Sequence, residues 1–221
     1  MTDVIILWDK PVYFERLFQE YGINTITAMP GSLNSPHLAP AKMILIPAGF
    51  LSEKAISAGL NQKKVIDKLK NFVENGGTLL IFSPMADSDF SWLSLPVRYK
   101  REDIFLSENS LSESGLSEKN PLEKNPLENK AADLLLNPDL DEYFCDGYFE
   151  NLSEKSIFSD FESNEKVMDS ALISVLKTDC KNRPVHLRIG QGKGQIILST
   201  VHEFFSKKYF KSLLTNQKIK I

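Results

Sequence analysis

The sequence predicts an α/β fold, a three-layer sandwich with a mostly parallel sheet and a C-terminal antiparallel hairpin. Short apolar segments at 4–8, 42–47 and 78–82 are typical of strands that are covered on both faces. Amphipathic helical patterns lie between them, and this order favours right-handed crossovers and parallel strands. Near the C-terminus, two strand-like segments flank a glycine-rich turn, which predicts the hairpin.

In the first part of the chain, each predicted strand leads into a helix or a loop. A helix follows the strand at 4–8 and ends at Gly22, because glycine tolerates the left-handed backbone that closes helices. A strand rich in threonine and isoleucine follows at 23–28. After the strand at 42–47, Ser52 is a suitable N-cap for the next helix.

The stretch from 63 to 85 contains the clearest helix-to-strand signature. Apolar residues recur at helical spacing between Val65 and Val73, and Asn75-Gly76-Gly77 ends the helix. Thr78–Phe82 is then a short buried strand. It ends in Ser83-Pro84-Met85, and sites in parallel α/β sheets form at such carboxyl ends of strands.

A low-complexity segment interrupts the pattern in the middle of the chain. Residues 106–130 are five repeats of five residues, each with glutamate at its third place. This period matches neither a helix nor a strand, so no face of the segment becomes apolar. We therefore predict one α/β domain, 1–221, with a disordered insertion at 106–130; a partner-binding arm is the alternative. Residues 86–105 show no clear pattern beyond a short strand-like piece.

The remaining segments predict further strands and a terminal helix. The aromatic-rich residues 143–149 form a strand or a buried loop, in which Cys145 is a small buried hydrophobe. A strand is expected at 171–177, and a helix is expected at 204–214.

The predicted hairpin pairs 184–189 with 195–200. The turn at 190–194 contains three glycines, which supply the positive φ that tight turns need. It lies between two strands and lacks the Gly-Lys-Ser/Thr ending of a phosphate loop. In the first arm, alternation places His186 on the polar side of a half-exposed strand.

Composition and charge exclude several classes of protein. The chain has 221 residues and a net charge of −3, which argues against nucleic acid or an anionic membrane as the main partner. Its two cysteines form neither a disulfide framework nor a zinc pattern, as in reduced cytoplasmic proteins. The apolar segment at 4–8 is too short for a signal peptide, and no stretch is long enough to span a membrane.

Three motifs, in this order, resemble the class I glutamine amidotransferase-like domains. KMILIPAGF, at 42–50, is similar to the strand and glycine loop that help to build the family's oxyanion site. FVENGGTLLIFS, at 72–83, resembles the strand that leads to the nucleophile elbow. GKGQIILSTVHEFF, at 192–205, is similar to the late strand that ends in His-Pro-Glu. The resemblance implies a flavodoxin-like sandwich, related also to the ThuA-like and biotin-ligase N-terminal-like branches.

The resemblance places Ser83 where the family has its nucleophilic cysteine. Pro84 follows it, and a residue before proline is pushed toward extended backbone rather than the strained turn of an elbow. Proline also lacks the N–H that the residue after the nucleophile donates to the oxyanion, a loss of about 10²–10³ in rate. Glutamine hydrolysis through Ser83 is therefore not expected.

The resemblance also places His202 near the family's base and Glu203 near its acid, with Gly49 as the oxyanion-loop glycine. The two acid–base candidates are adjacent, and in an extended chain their side chains point to opposite sides. We therefore predict no catalytic residues. A histidine that packs at the end of a strand is the plain alternative for His202.

Metal sites and cofactors are not predicted. Asp87 and Asp89 follow a central strand, where a magnesium site can form, but no third ligand is identified and such residues also mark turns. His37, His186 and His202 have no metal-ligand spacing. The expected partners are instead a small molecule, a protein or a second copy of the chain.

The leading hypothesis is a catalytically inactive amidotransferase-like domain that binds a small ligand or a protein. The alternative is a hydrolase or transferase that uses Asp9, Ser83, His202 and Glu203, with Asp87 as a further acid–base candidate. By the strand-end rule, both hypotheses use one crevice. Its candidate residues are Trp8, Asp9, Gly49, Phe50, Ser83, Met85, His202 and Glu203.

Overall fold

The computed structural model describes residues 2–8, 13–49, 62–107, 142–152, 172–177, 183–202 and 205–214. The helices are α1 Tyr13–Tyr21, α2 Lys63–Glu74 and α3 Lys207–Leu214, with short 3-10 helices at Pro30–Asn34 and Ser91–Leu93. The strands are β1 Val4–Leu7, β2 Thr25–Ala28, β3 Met43–Ile46, β4 Thr78–Phe82, β5 Ser88–Asp89, β6 Val97–Ser107, β7 Glu142–Asn151, β8 Leu172–Lys177, β9 Pro184–Gln191 and β10 Gly194–Ser199. No helix in the described ranges is long and apolar enough to cross a membrane.

The main sheet confirms the predicted α/β fold with mostly parallel strands. Its order is β2-β1-β3-β4-β10-β9-β8, and the first five of these strands are parallel to one another. The hairpin of β9 and β10 is antiparallel, as the sequence predicts, and β8 extends it as a further antiparallel strand. The central strands are buried along their whole length, which explains why they are continuous apolar segments.

Helices pack on both faces of this sheet, which gives three layers. Val4 and Ile6 of β1 share a core with α1 and α3, and Ile5 and Leu7 share a second core with α2. This division follows from the alternation of side chains along a strand. Phe18 of α1 meets an aromatic ring of α3 edge to face, so the two helices are packed together.

The tip of the β9–β10 hairpin packs against the end of α2. Lys193 donates its backbone N–H to the Glu74 carbonyl at 3.1 Å, and Gln195 donates to the Gly77 carbonyl at 3.2 Å. These bonds satisfy carbonyl groups at and after the helix end, which have no partner within the helix. The hairpin turn therefore also serves as a cap for α2.

A second sheet, of order β5-β6-β7, occupies the region for which the sequence shows no clear pattern. The short strand-like piece is part of the 11-residue strand β6, and the aromatic-rich segment is the strand β7. Leu106 and Ser107, which the sequence assigns to the disordered insertion, are paired residues of β6. The rest of the predicted insertion, Ser52 and Cys180 lie outside the described residues.

His186 is wrongly predicted to lie on a half-exposed face. It is completely buried, and its Nε2 lies 3.0 Å from the hydroxyl of Tyr209 on α3. The alternation along β9 exists, but Tyr209 of α3 and Phe205, which precedes this helix, cover the face on which His186 lies. Neighbouring elements decide whether a polar face meets water, and the pattern of one strand does not reveal them.

Candidate functional site

Four parallel strands, β1, β3, β4 and β10, end at the same edge of the main sheet. The residues that follow them include Trp8, Gly49, Ser83 and His202, and we call this the carboxyl edge. Trp8 is half-buried and contacts both hydrophobic cores. The topology thus places the residues that follow these four strands at one edge of the sheet.

Ser83 is buried at this edge, with 2% of its surface exposed. Its Oγ accepts a hydrogen bond from the Met85 backbone N–H at 3.0 Å, and its carbonyl accepts one from the Gly49 N–H at 2.8 Å. Within the described ranges, no hydrogen bond joins the Ser83 and His202 side chains. The serine therefore has the contacts of a turn residue.

Met85, two residues after Ser83, has the left-handed backbone that an elbow residue needs. Its φ is 62°, whereas Ser83 is not among the described residues with positive φ. Its side chain is 41% exposed, and a Cβ on Gly49 would lie 3.1 Å from the Met85 sulfur. The guanidinium of Arg101 donates to the Met85 carbonyl at 3.1 Å and supports this turn from β6. The strained position of the strand-end turn thus holds a methionine, which is not a nucleophile.

Tyr99 of β6 links Ser83 to β7. Its hydroxyl donates to the Asp146 backbone carbonyl at 2.7 Å, and the Ser83 hydroxyl is near enough to influence its pKa. Burial raises the pKa of Tyr99 well above its usual range, an effect that the Ser83 hydroxyl opposes. The phenol therefore stays protonated and acts as a fixed donor.

The side chains of Asp146 and His202 meet beside this link. An Asp146 Oδ2 lies 2.8 Å from His202 Nε2, and the carboxylate is buried while the histidine side chain is 31% exposed. Neither carboxylate oxygen has an aligned hydrogen bond, so the contact is an ion pair when His202 is protonated. Backbone bonds from Asp146 N–H to the Thr200 carbonyl and from His202 N–H to the Phe144 carbonyl hold β7 against the end of β10.

The predicted crevice residues divide into two groups. One group follows strands of the main sheet at the carboxyl edge and consists of Trp8, Gly49, Ser83, Met85 and His202. The other group lies outside the described residues and consists of Asp9, Phe50 and Glu203. Of the four residues of the enzyme alternative, Ser83 and His202 are therefore the two that can be placed, and their side chains are not hydrogen-bonded to each other.

Asp87 and Asp89 take part in turn interactions. Asp87 accepts hydrogen bonds from the Arg101 N–H and the Lys100 ammonium, which lower the pKa of its carboxyl group. Asp89 accepts a hydrogen bond from the backbone N–H of Ser91, which lies two residues later in the same turn. The described part of the chain holds no group of three or more metal-ligating side chains.

Sequence analysis misses Tyr99 and Asp146. Both lie on strands of the second sheet, whose pairing joins residues about 50 positions apart, as the Tyr99↔Phe149 pair shows. One signal was available: Gly147, in the aromatic-rich segment, has no room for a side chain because a Cβ would lie 2.4 Å from the Tyr99 ring. A glycine amid aromatic residues in a strand indicates such a close approach.

We expect Tyr99→Phe to lower the free energy of unfolding by about 2 kcal/mol. It removes the donor to a buried carbonyl and leaves the Ser83 hydroxyl without its neighbour. Urea unfolding measures the change. Tyr148→Phe, on strand β7, is the control. The Tyr148 hydroxyl bonds to Glu150 in a half-buried place, so a smaller loss of stability is expected. Equal losses in the two variants would contradict the role given to Tyr99.

Comparison with known proteins shows likeness in fold at low identity. No protein-family model matches the sequence, and no curated protein matches it significantly. The mmIFT52 N-terminal domain is 10% identical with a TM-score of 0.51, and the match covers 100% of both chains. A β-galactosidase from Rahnella sp. R3 is 10% identical with a TM-score of 0.49, and the chain spans 30% of its length. A ThuA-like protein from Bacteroides uniformis is 10% identical with a TM-score of 0.44, over 98% of this chain and 89% of that one.

Proposed function

We propose that the chain is a non-catalytic binding domain with the scaffold of the class I glutamine amidotransferase-like fold. The observation that supports this most directly is that the Ser83 hydroxyl is hydrogen-bonded within its own turn. Its Oγ accepts a hydrogen bond from the Met85 N–H, and Tyr99, whose pKa the Ser83 hydroxyl influences, is a further polar neighbour. A nucleophilic serine needs a base at its hydroxyl, and Tyr99, which is held protonated, cannot accept a proton there.

The backbone N–H groups that an oxyanion site would need are also either hydrogen-bonded elsewhere or absent. The Gly49 N–H, which the family resemblance assigns to that site, is bonded to the Ser83 carbonyl at 2.8 Å. Pro84 has no N–H to offer. A tetrahedral intermediate at Ser83 would therefore lack both backbone donors, and each such donor is worth about 2.7–4 kcal/mol of transition-state stabilisation.

The carboxyl edge remains suitable for binding. It presents the exposed Met85, a flexible and polarisable side chain that adapts to different partners. His202 adds a partly exposed polar group. The proposed ligand is a small molecule or a protein segment that contacts these groups. The enzyme alternative is not better supported, because the Ser83 hydroxyl is hydrogen-bonded within its turn.

A glutaminase assay tests the proposal. We expect no glutamate release above the buffer rate from the wild-type protein or from Ser83→Ala. We also expect Ser83→Ala to lose about 1–2 kcal/mol of stability, because the Met85 N–H then has no acceptor. Ser88→Ala is the control, since its hydroxyl bonds in an exposed turn. Turnover that disappears in Ser83→Ala, but persists in Ser88→Ala, would refute a non-catalytic function.

A further inference from the structure

Arg188 of β9 carries a positive charge that no acidic residue compensates in the part of the chain that the structure describes. Its side chain is half-buried, and by alternation it lies on the same sheet face as His186, which α3 covers. Burial lowers the pKa of Arg188, and the neighbour that opposes this effect is the Tyr209 hydroxyl rather than a carboxylate. An arginine in a protein stays protonated even so. The guanidinium is therefore a permanent cation without a counter-ion among the described residues.

The elements around Arg188 contain no acidic residue within their bounds. β9 pairs with β8 and β10, β10 pairs with β4, and α3 packs on the face through Tyr209. The sequences of β8, β10, β4 and α3 are LISVLK, GQIILS, TLLIF and KKYFKSLL, and their charged residues are all lysines. This part of the sheet therefore has a positive potential, which favours an anionic ligand.

A chain of hydrogen bonds fixes the orientation of the guanidinium. Arg188 Nε donates to Gln195 Oε1, and Gln195 Nε2 donates to Thr78 Oγ1 at 3.0 Å. Because a guanidinium can only donate, it determines which end of the Gln195 amide faces it. Thr78 is buried and pairs with Gln195 where β4 and β10 begin, so the chain is anchored in the sheet. The structure describes no hydrogen bond from either Nη nitrogen, and these two nitrogens form the remaining edge of the group.

This cluster carries a single positive charge at pH 7. The neighbouring His186 is neutral, because burial lowers its pKa to about 3, and burial also keeps the Tyr209 hydroxyl protonated. Two parallel N–H···O bonds from a guanidinium match the two oxygens of a carboxylate or of a phosphate. A phosphate group carries about 1.5 to 2 negative charges at pH 7, whereas a carboxylate carries one. Charge balance therefore favours a carboxylate.

We propose that Arg188, Gln195 and Thr78 form a second ligand site, the amino edge, where Arg188 binds the carboxylate group of a small organic anion through its Nη nitrogens. Gln195 is a positioning residue, because it acts through Arg188. The amino edge lies where β4 and β10 begin, at the opposite end of these strands from the carboxyl edge. The inference therefore goes beyond the proposed function and does not depend on it.

The Nε–H signal of Arg188 in ¹H–¹⁵N NMR spectra tests the proposal, because this group is adjacent to the Nη nitrogens. The protein is titrated with sodium acetate at about pH 7, where a carboxylate is ionised. Sodium chloride at matched ionic strength is the salt control. We expect a saturable shift of the Arg188 signal with acetate and none with chloride. Sodium phosphate, as a third titrant, should bind more weakly than acetate.

The Arg188→Lys variant tests whether the paired Nη donors bind the carboxylate, because it keeps the charge and removes the fork. The side-chain amide signals of Gln195 report binding in this variant. We expect the acetate affinity to fall by about tenfold or more. Arg16→Gln is the control, since Arg16 is exposed and already forms an ion pair with Glu20. It should bind acetate as the wild type does.

The Gln195→Glu variant supplies an internal carboxylate at the same place. Its new carboxylate would accept from Arg188 Nε, and the Thr78 hydroxyl can donate to it instead of accepting from the amide. We expect the acetate affinity, followed by the Arg188 Nε–H signal, to fall by about tenfold or more, because the charge is then compensated. We also expect a higher urea midpoint than in the wild type. A purely structural role for Gln195 would give a lower midpoint.

Three results would overturn the proposal. One is the absence of a saturable acetate shift at Arg188 in the wild type, and another is phosphate binding that is tighter than acetate binding. The third is a Gln195→Glu variant that binds acetate as tightly as the wild type. Should Arg188→Lys fail to fold, the wild-type titrations and Gln195→Glu decide the matter.

Discussion

Gly194→Ala is expected to destabilise the protein by about 3 kcal/mol or more. A Cβ at Gly194 would lie 2.2 Å from the carbonyl oxygens of both Gly77 and Val73. These are backbone atoms at the end of α2 and the start of β4, so no side chain can rotate away to make room. The hairpin would have to move off the helix end, and its bonds to Glu74 and Gly77 would be lost.

Gly190→Ala is the matched control for this substitution. Gly190 lies on the same hairpin, its backbone is not left-handed, and no atom lies within 4 Å of the Cβ it would gain. We expect its effect to stay within about 0.5 kcal/mol. Urea unfolding of both variants compares them. If Gly194→Ala unfolds at the wild-type midpoint, the close packing of the hairpin against α2 is wrong.

The stability of the protein is expected to fall steeply between pH 6.5 and pH 3 because of His186. Burial, with a smaller contribution from the charge of Arg188, lowers the pKa of His186 to about 3 from its ordinary value of 6.5. In this range the unfolded chain binds a proton that the folded protein does not. Stability is therefore complete above about pH 6.5 and falls by up to about 1.4 kcal/mol per pH unit on acidification.

The His186→Gln variant isolates this contribution. Its amide can still bond to the Tyr209 hydroxyl, which lies 3.0 Å from the histidine in the wild type. Free energies of unfolding, measured from pH 7 to pH 4, should decline less steeply than in the wild type. His37→Gln, in an exposed loop, should follow the wild-type curve. Parallel curves for His186→Gln and the wild type would show that His186 takes up its proton in the folded state.

The sequence by itself determined the parallel sheet and the place of the candidate site. Residues 4–7, 43–46 and 78–82 have to be buried strands because they are continuous apolar segments between helices. The turns after α2 and in the hairpin could also be predicted from the local sequence, because their glycines allow the backbone conformations that such turns need. Since parallel strands end at one edge, the grouping of Gly49, Ser83 and His202 followed from the order of elements.

Only the tertiary structure decided what these residues do. The second sheet joins β6 to β7 across a long sequence separation, and it is this pairing that brings Tyr99 and Asp146 to the carboxyl edge. The sequence predicted that Ser83 would be a poor nucleophile, because the chemistry of Pro84 is local. It could not predict a partner for His202, since a buried carboxylate 56 positions away is a long-range contact that no periodicity records. Likewise, the burial of His186 depends on α3, which covers a face that the pattern of β9 alone leaves polar.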